Sequence, residues 1–110
     1  MRSWYRSSYN KENILTVSFV DSYTPTGAEN ESWDASYYSD GSVTAYRIGS
    51  DVIVSGNGQG YIKTGDYPNS MFANFKGLTT INGMTLLDTS DALSMNSMFL
   101  YCSKLTGVAT

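Results

Sequence analysis

Apolar and polar residues alternate most regularly over Ile14–Val20, where Leu15, Val17 and Phe19 fall on one face and Thr16 and Ser18 on the other. That is the pattern of a half-buried strand. Ser42–Ile48 and Asp51–Ser55 read as two more strands joined by Gly49-Ser50. A two-residue connection that opens on Gly is the type II′ hairpin signature. Gly56–Gly60 breaks the pattern, and Tyr61–Thr64 follows as another short strand, with a turn over Gly65–Asn69. Asp21–Asp40 contains Pro25, Gly27, Asn30 and a run of Ser, Glu and Asp. It reads as a long loop with turn chemistry at Thr24–Gly27, and loops of that length are often functional. Met1–Glu12 carries Trp4, Tyr5 and Tyr9 in polar surroundings and reads as an arm or irregular start.

From Ser70 the spacing changes. Met71, Phe72 and Phe75 sit at helical steps, and Leu78 and Ile81 follow as a strand turn before Asn82-Gly83. Thr89 or Ser90 can cap a second helix, in which Ala92, Met95, Met98, Phe99 and Cys102 recur at three- and four-residue steps. Leu105 and Val108 close the chain's pattern. The segment Ser70–Gly83 is written again at Ser97–Thr110: Ser, Met, Phe, Leu and Thr recur at a fixed offset of 27, and Ile81 falls opposite Val108. A period in the twenties is the range of leucine-rich solenoid units. The expectation is one domain of an α+β, β-rich class. Residues 1–66 form antiparallel strands, and residues 67–110 form a short leucine-rich-repeat-like solenoid with one or two short helices. Its repeat core comprises Met71, Phe72, Phe75, Leu78, Ile81, Leu87, Met95, Met98, Phe99, Cys102 and Leu105. On that reading Phe99→Ala costs on the order of 3–5 kcal/mol.

At 110 residues the chain suits a single domain with one modest core. Only 15% of residues are charged, while 14% are aromatic, including nine tyrosines, and Ser, Thr, Asn and Gly make up much of the rest. That balance suits β-rich surface and virion proteins better than cytosolic enzymes. The net charge of −3 and the scatter of the seven basic residues leave no patch for nucleic acid. The longest apolar run is far too short to span a bilayer, and no continuous apolar region follows Arg2 and Arg6 as a signal peptide requires.

There is no histidine, which removes the commonest general base, the Ser-His and Cys-His dyads and most zinc sites. The single cysteine, Cys102, has no intrachain partner and reads as a small core residue. Glu29, Glu31 and Asp34 lie close in the loop but fit no EF-hand spacing, so they read as a solvated acidic loop. Gly56, Gly58 and Gly60 precede a strand rather than a helix and read as a glycine turn, not a phosphate loop. No cofactor is expected. Trp33, Tyr37, Tyr38, Tyr46, Tyr61 and Tyr67 form the candidate interaction surface, since Tyr and Trp are enriched where surfaces meet and also stack on sugar rings.

Leu87-Asp88-Thr89-Ser90, Met95, Met98-Phe99, Cys102-Ser103 and Leu105-Thr106 together resemble the repeat of the BspA-like leucine-rich-repeat surface proteins. The likeness covers Ser70–Thr110, with Phe75 standing where the repeat has Cys. Upstream, Asp21–Gly27, Trp33-Asp34-Ala35 and Gly56-Asn57-Gly58 resemble the β-rich block that can precede such repeats. Such modules also resemble segments of phage and prophage particle proteins. The resemblance implies non-enzymatic adhesion, display and assembly. A solenoid unit buries its open face on the next, so an end without a successor calls for a cap, a continuation or another subunit. The expected function is therefore a structural or display module in a virion or at the cell surface. Its partners would be protein, as a homo-oligomer or larger assembly. The alternative is an adhesive or carbohydrate-binding module that uses the tyrosines and the 21–40 loop to hold a glycan.

Overall fold

In the computed structural model, which describes residues 3–93 and 98–109, the alternating segments assemble into one mixed sheet. Strands β1 (Thr16–Val20), β2 (Glu31–Asp34), β3 (Thr44–Ile48), β4 (Asp51–Ser55) and β6 (Thr80–Asn82) lie in the order β2-β3-β4-β1-β6. Strand β8 (Gly107–Ala109) extends the sheet beyond β6. Two short strands, β5 (Ile62–Lys63) and β7 (Leu87–Asp88), pair in parallel apart from it. The alternation of β1 and β4 explains their central place. Val17, Phe19, Val52 and Val54 project to one face and are buried, while Thr16, Ser18 and Ile53 alternate onto the other and are half-buried. β3 and β4 form the expected hairpin, with Ile48 opposite Asp51 and a positive φ of 59° at Gly49.

The α+β architecture with a C-terminal solenoid does not form. β1 runs parallel to both its neighbours, with Val17 beside Val52 on one side and Ile81 on the other. Only β3 runs against the rest, antiparallel to both β2 and β4. Residues 21–50 carry the β2 and β3 strands out to the sheet edge and bring the chain back to the flank of β1 in its original direction. Helical structure among the described residues is limited to 3-10 turns at Lys11–Asn13, Tyr67–Asn69 and Met84–Leu86. Met71–Phe75 forms no helix, and of the helix expected over Ala92–Cys102 the described residues, 92–93 and 98–102, are not helical. Asn74 and Tyr101 take left-handed φ of 69° and 65°, which stops each turn before a costly helical nucleus can propagate. Met95 lies outside the described residues.

The 27-residue offset survives as a register. Thr80, Ile81 and Asn82 of β6 lie opposite Gly107, Val108 and Ala109 of β8, in parallel. This is one ladder at the end of a mixed sheet rather than a solenoid, because the other neighbour of β6 is β1, which belongs to neither copy.

Two upstream segments also differ from expectation. The loop over Asp21–Asp40 is interrupted by β2, whose sequence Glu-Ser-Trp-Asp has too few apolar residues to show alternation and is recruited by pairing with β3, Trp33 opposite Ala45. Leu15 is 44% exposed because it precedes β1; Ile14 is the buried residue at that step.

The N-terminal arm departs furthest from its sequence reading. Trp4 is 1% exposed, and its ring lies parallel to Phe75 at 5.9 Å and edge-on to Phe72 at 6.2 Å. Its Nε1 donates to the Met71 carbonyl at 2.7 Å, and Trp33 Nε1 donates to the Trp4 carbonyl at 2.8 Å. Arg6 donates to the carbonyls of Asp34 and Ser36 and to the Tyr67 hydroxyl. The arm thus ties β2 to the segment around residue 70 beneath the sheet. Gly83, with φ of 78°, lets the chain pass the Phe19 carbonyl of β1, where a Cβ would come within 2.1 Å.

Trp4→Ala is expected to destabilise the fold by about 3–5 kcal/mol, since it empties a buried ring site and orphans the Met71 carbonyl and its neighbours. Urea unfolding followed by tryptophan fluorescence and circular dichroism measures this; a loss under about 1 kcal/mol would show that the arm is not part of the core.

Candidate functional site

The related segments around residues 70–82 and 98–109 are bonded to each other, and the second forms the outer end of the molecule. Phe72 N–H donates to the Met98 carbonyl at 3.0 Å and Asn74 N–H to the Leu100 carbonyl at 2.9 Å. Cys102 Sγ donates to the Phe72 carbonyl at 2.9 Å, and Thr106 N–H to the Thr79 carbonyl at 3.0 Å. The Phe99 ring stacks on Phe72 at 5.9 Å with planes 4° apart. Beyond Phe99 no described residue follows in the stack. The edge of β8 away from β6 has no partner strand among the described residues. Phe99, Leu100 and Tyr101 are 41%, 44% and 62% exposed.

The expected repeat-core residues divide by depth. Met71, Phe72, Phe75, Leu78, Ile81 and Met98 are buried. Leu87, Cys102 and Leu105 are half-buried against that core. Phe99 is the correction: it occupies the place corresponding to Phe72, but its outer face meets solvent because no third ring covers it.

The aromatic residues expected on an interaction surface do not form one. Tyr67 is buried, edge-on to Tyr37 at 4.7 Å, and Tyr37 packs against Gly65, where a side chain would collide with the ring. Trp33 faces the core and meets Tyr5 edge-on at 5.4 Å. Tyr46 points to the opposite sheet face, where it meets Tyr23 at 4.7 Å. Only Tyr38 and Tyr61 are largely exposed, and Tyr38 donates to the Asp91 carboxylate at 3.1 Å.

The acidic residues act as structural ties. Glu31 accepts from Ser7 Oγ and from Arg47 Nε, each at 2.6 Å, and these bonds hold its carboxyl below the usual value, Ser7 having the larger effect. Arg47 also lies over the Tyr9 ring at 4.0 Å. Burial alone would raise the Asp34 carboxyl, but bonds from the Ser36 hydroxyl and N–H and from Gly41 N–H outweigh it and the net shift is downward. Glu29 is held down to about 2 by the Thr26 N–H and the Tyr23 hydroxyl. These three carboxylates bind different partners, and no group of three or more metal-ligating side chains gathers among the described residues. Burial pushes the Cys102 thiol upward, away from the thiolate a nucleophile needs. An open cleft of about 230 Å³ beside Trp4 is lined by Ser3, Lys11, Ser70 and Asn74, and Lys11 is its one charged side chain. No helix among the described residues is long and apolar enough to cross a membrane.

The candidate site therefore lies at one edge of the mixed sheet: the side of β8 that has no partner among the described residues, and the turn at Phe99–Tyr101. No protein-family model, no curated protein and no solved structure matches the chain. Sequence reasoning placed Phe99 inside and passed over Leu100 and Tyr101. The available signal was the pairing of Tyr101 with Asn74 across the 27-residue offset, a polar position in the first copy.

Two outcomes follow from burial and charge. Phe72→Ala is expected to cost about 3–5 kcal/mol and Phe99→Ala only about 1–2 kcal/mol, because much of the Phe99 ring is already in water; denaturant unfolding of the two variants checks the order. The folded carboxyls of Glu31, Asp34 and Glu29 are depressed, so the stability they contribute is fully present above the ordinary carboxylate range and is lost as pH falls through it. The melting temperature should hold from about pH 7 to about pH 5 and fall progressively below that. Ser7→Ala should flatten the fall, and a pH-independent melt would contradict the assignment.

Proposed function

We propose that this chain is a non-enzymatic structural or display module that assembles with copies of itself or with other particle proteins, as a phage particle component first and a bacterial surface protein next. The observation that carries the reading is the exposed Phe99–Tyr101 turn beside the side of β8 that has no partner strand among the described residues. An open strand edge flanked by large apolar side chains is a template for another chain, and proteins that keep one in water generally cover it. The low charge and the abundance of Ser, Thr, Asn and Tyr support a particle or surface setting. The likeness of residues 70–110 to the BspA-like repeat signature supports display and assembly, although the solenoid architecture of that family is not carried over. Glu29, Glu31 and Asp34 are committed to structural bonds and burial shifts the Cys102 thiol upward, so none of these four groups argues for chemistry.

The adhesive alternative draws on Tyr38 and Tyr61 alone, and no ring contact joins Tyr61 to the other aromatics among the described residues. Size-exclusion chromatography with light scattering, run beside a glycan array, separates the two. Assembly predicts a discrete oligomer, or a discrete complex with particle proteins, that Leu100→Asp disrupts without unfolding the chain. A stable monomer whose glycan binding disappears in Tyr38→Ala or Tyr61→Ala would replace this reading with the adhesive one.

A further inference from the structure

We infer that residues 3–9 are a strap that opens and closes as one unit, hinged at Asn10, while the sheet stays folded; this goes beyond the assembly reading above and does not rest on it. Segments open locally where few ties hold them and none belongs to a backbone ladder. Among the described residues no backbone–backbone hydrogen bond involves residues 3–9. The bonds from the strap to its seat run through side chains. Trp4 Nε1 donates to the Met71 carbonyl, Trp33 Nε1 to the Trp4 carbonyl, Arg6 to the Asp34 and Ser36 carbonyls and the Tyr67 hydroxyl, and Ser7 Oγ to Glu31. The strap is also braced within itself. Tyr5 N–H bonds Ser3 Oγ at 3.1 Å, Arg6 Nε the Ser3 carbonyl at 3.0 Å, Tyr9 N–H Ser7 Oγ at 3.0 Å and the Tyr5 hydroxyl the Tyr9 carbonyl at 2.7 Å. None of those bonds has to break when the strap lifts, so its residues move together. The turn behind it is anchored. Asn10 Oδ1 caps Glu12 N–H, Asn13 N–H bonds the Asn10 carbonyl, and the Gly77 backbone lies so close to the Glu12 carbonyl that a Cβ would meet it at 2.2 Å. Motion is thereby confined to the chain before the turn, at the exposed Asn10. The seat keeps its own supports. Tyr67 still reaches the Ser36 carbonyl at 3.2 Å and meets the Tyr37 ring, and Trp33 remains opposite Ala45 in the β2–β3 ladder. Water reaches the border of strap and seat through the cleft lined by Ser3, Trp4, Ser70 and Met71. Opening bares the Trp33 and Phe75 rings, which Tyr5 and Trp4 cover in the closed state.

The chain's two tryptophans report on the strap directly, since both indole N–H groups are bonded across its border. Hydrogen exchange of the full chain, followed by NMR in urea concentrations below the unfolding transition, compares those two groups with the backbone N–H groups of β1 and β4. Both indoles are expected to show one common protection factor, on the order of tenfold or more below that of the slowest groups of β1 and β4. Their exchange should also depend less steeply on urea, because lifting the strap exposes less surface than unfolding the chain. Ile53→Ala, on the sheet face away from the strap, should speed exchange in β1 and leave the indoles unchanged. Three results would overturn the inference. Indoles that share the protection and urea dependence of β1 would mean that the arm leaves only when the sheet unfolds. Indoles that differ from each other would mean that each ring loosens by itself. Ile53→Ala speeding all of these groups alike would mean that strap and sheet are one cooperative unit. The urea series on the unaltered chain decides the matter even where Ile53→Ala weakens the fold too far to be studied.

Discussion

The structure depends on a run of aromatic rings beneath the sheet. Trp33 meets Tyr5 edge-on, Tyr5 meets Trp4 and Phe75, Phe75 meets Phe72, and Phe72 stacks on Phe99. These contacts connect β2 at one edge with the turn beside β8 at the other. Phe19 of β1 touches the same run through Phe72 at 6.1 Å, so the central strand is registered on it. Aromatic pairs in offset or edge-on contact add to their burial, and here they replace the α-helix that usually covers the face of a sheet with parallel strands.

This arrangement explains why a chain with few strong strand signals makes a six-stranded sheet. β1, at the centre, is short but buries Val17 and Phe19 on the ring layer, and its parallel pairing with both β4 and β6 joins the upstream hairpin to the repeated segments. The polar groups brought into that layer are satisfied: among the described residues no buried side-chain nitrogen or oxygen lacks a partner. Arg6 joins three groups at once, since one guanidinium serves the Asp34 and Ser36 carbonyls and the Tyr67 hydroxyl.

The same economy shapes the surface. Glu29 closes its own loop against Thr26 and Gly27, Asp34 fixes the turn to Gly41, and Glu31 joins Ser7 to Arg47. These carboxylates hold irregular backbone, whereas the Phe99–Tyr101 turn is held by the Phe72 ring and by the Asn74 N–H on the Leu100 carbonyl and leaves uncharged side chains partly exposed.

The sequence by itself determined what depends on neighbouring residues and on one short period. The Gly49-Ser50 hairpin, the alternation of β1 and the 27-residue offset that became the β6–β8 register were all legible, because turn chemistry and side-chain periodicity act locally. Only the tertiary structure decided that Trp4 belongs to the core, that Glu-Ser-Trp-Asp is a strand, that β1 runs parallel to its neighbours and that Phe99 faces water. Each of those outcomes turns on a partner distant in the chain: Phe75 for Trp4, Ala45 for Trp33, Val52 and Ile81 for Val17, and for Phe99 the ring of Phe72, the only ring it meets among the described residues. The helical spacing of Met71, Phe72 and Phe75 was genuine, but apolar spacing records which residues are buried and not the backbone that buries them. A left-handed residue at Asn74 was enough to convert it into a turn.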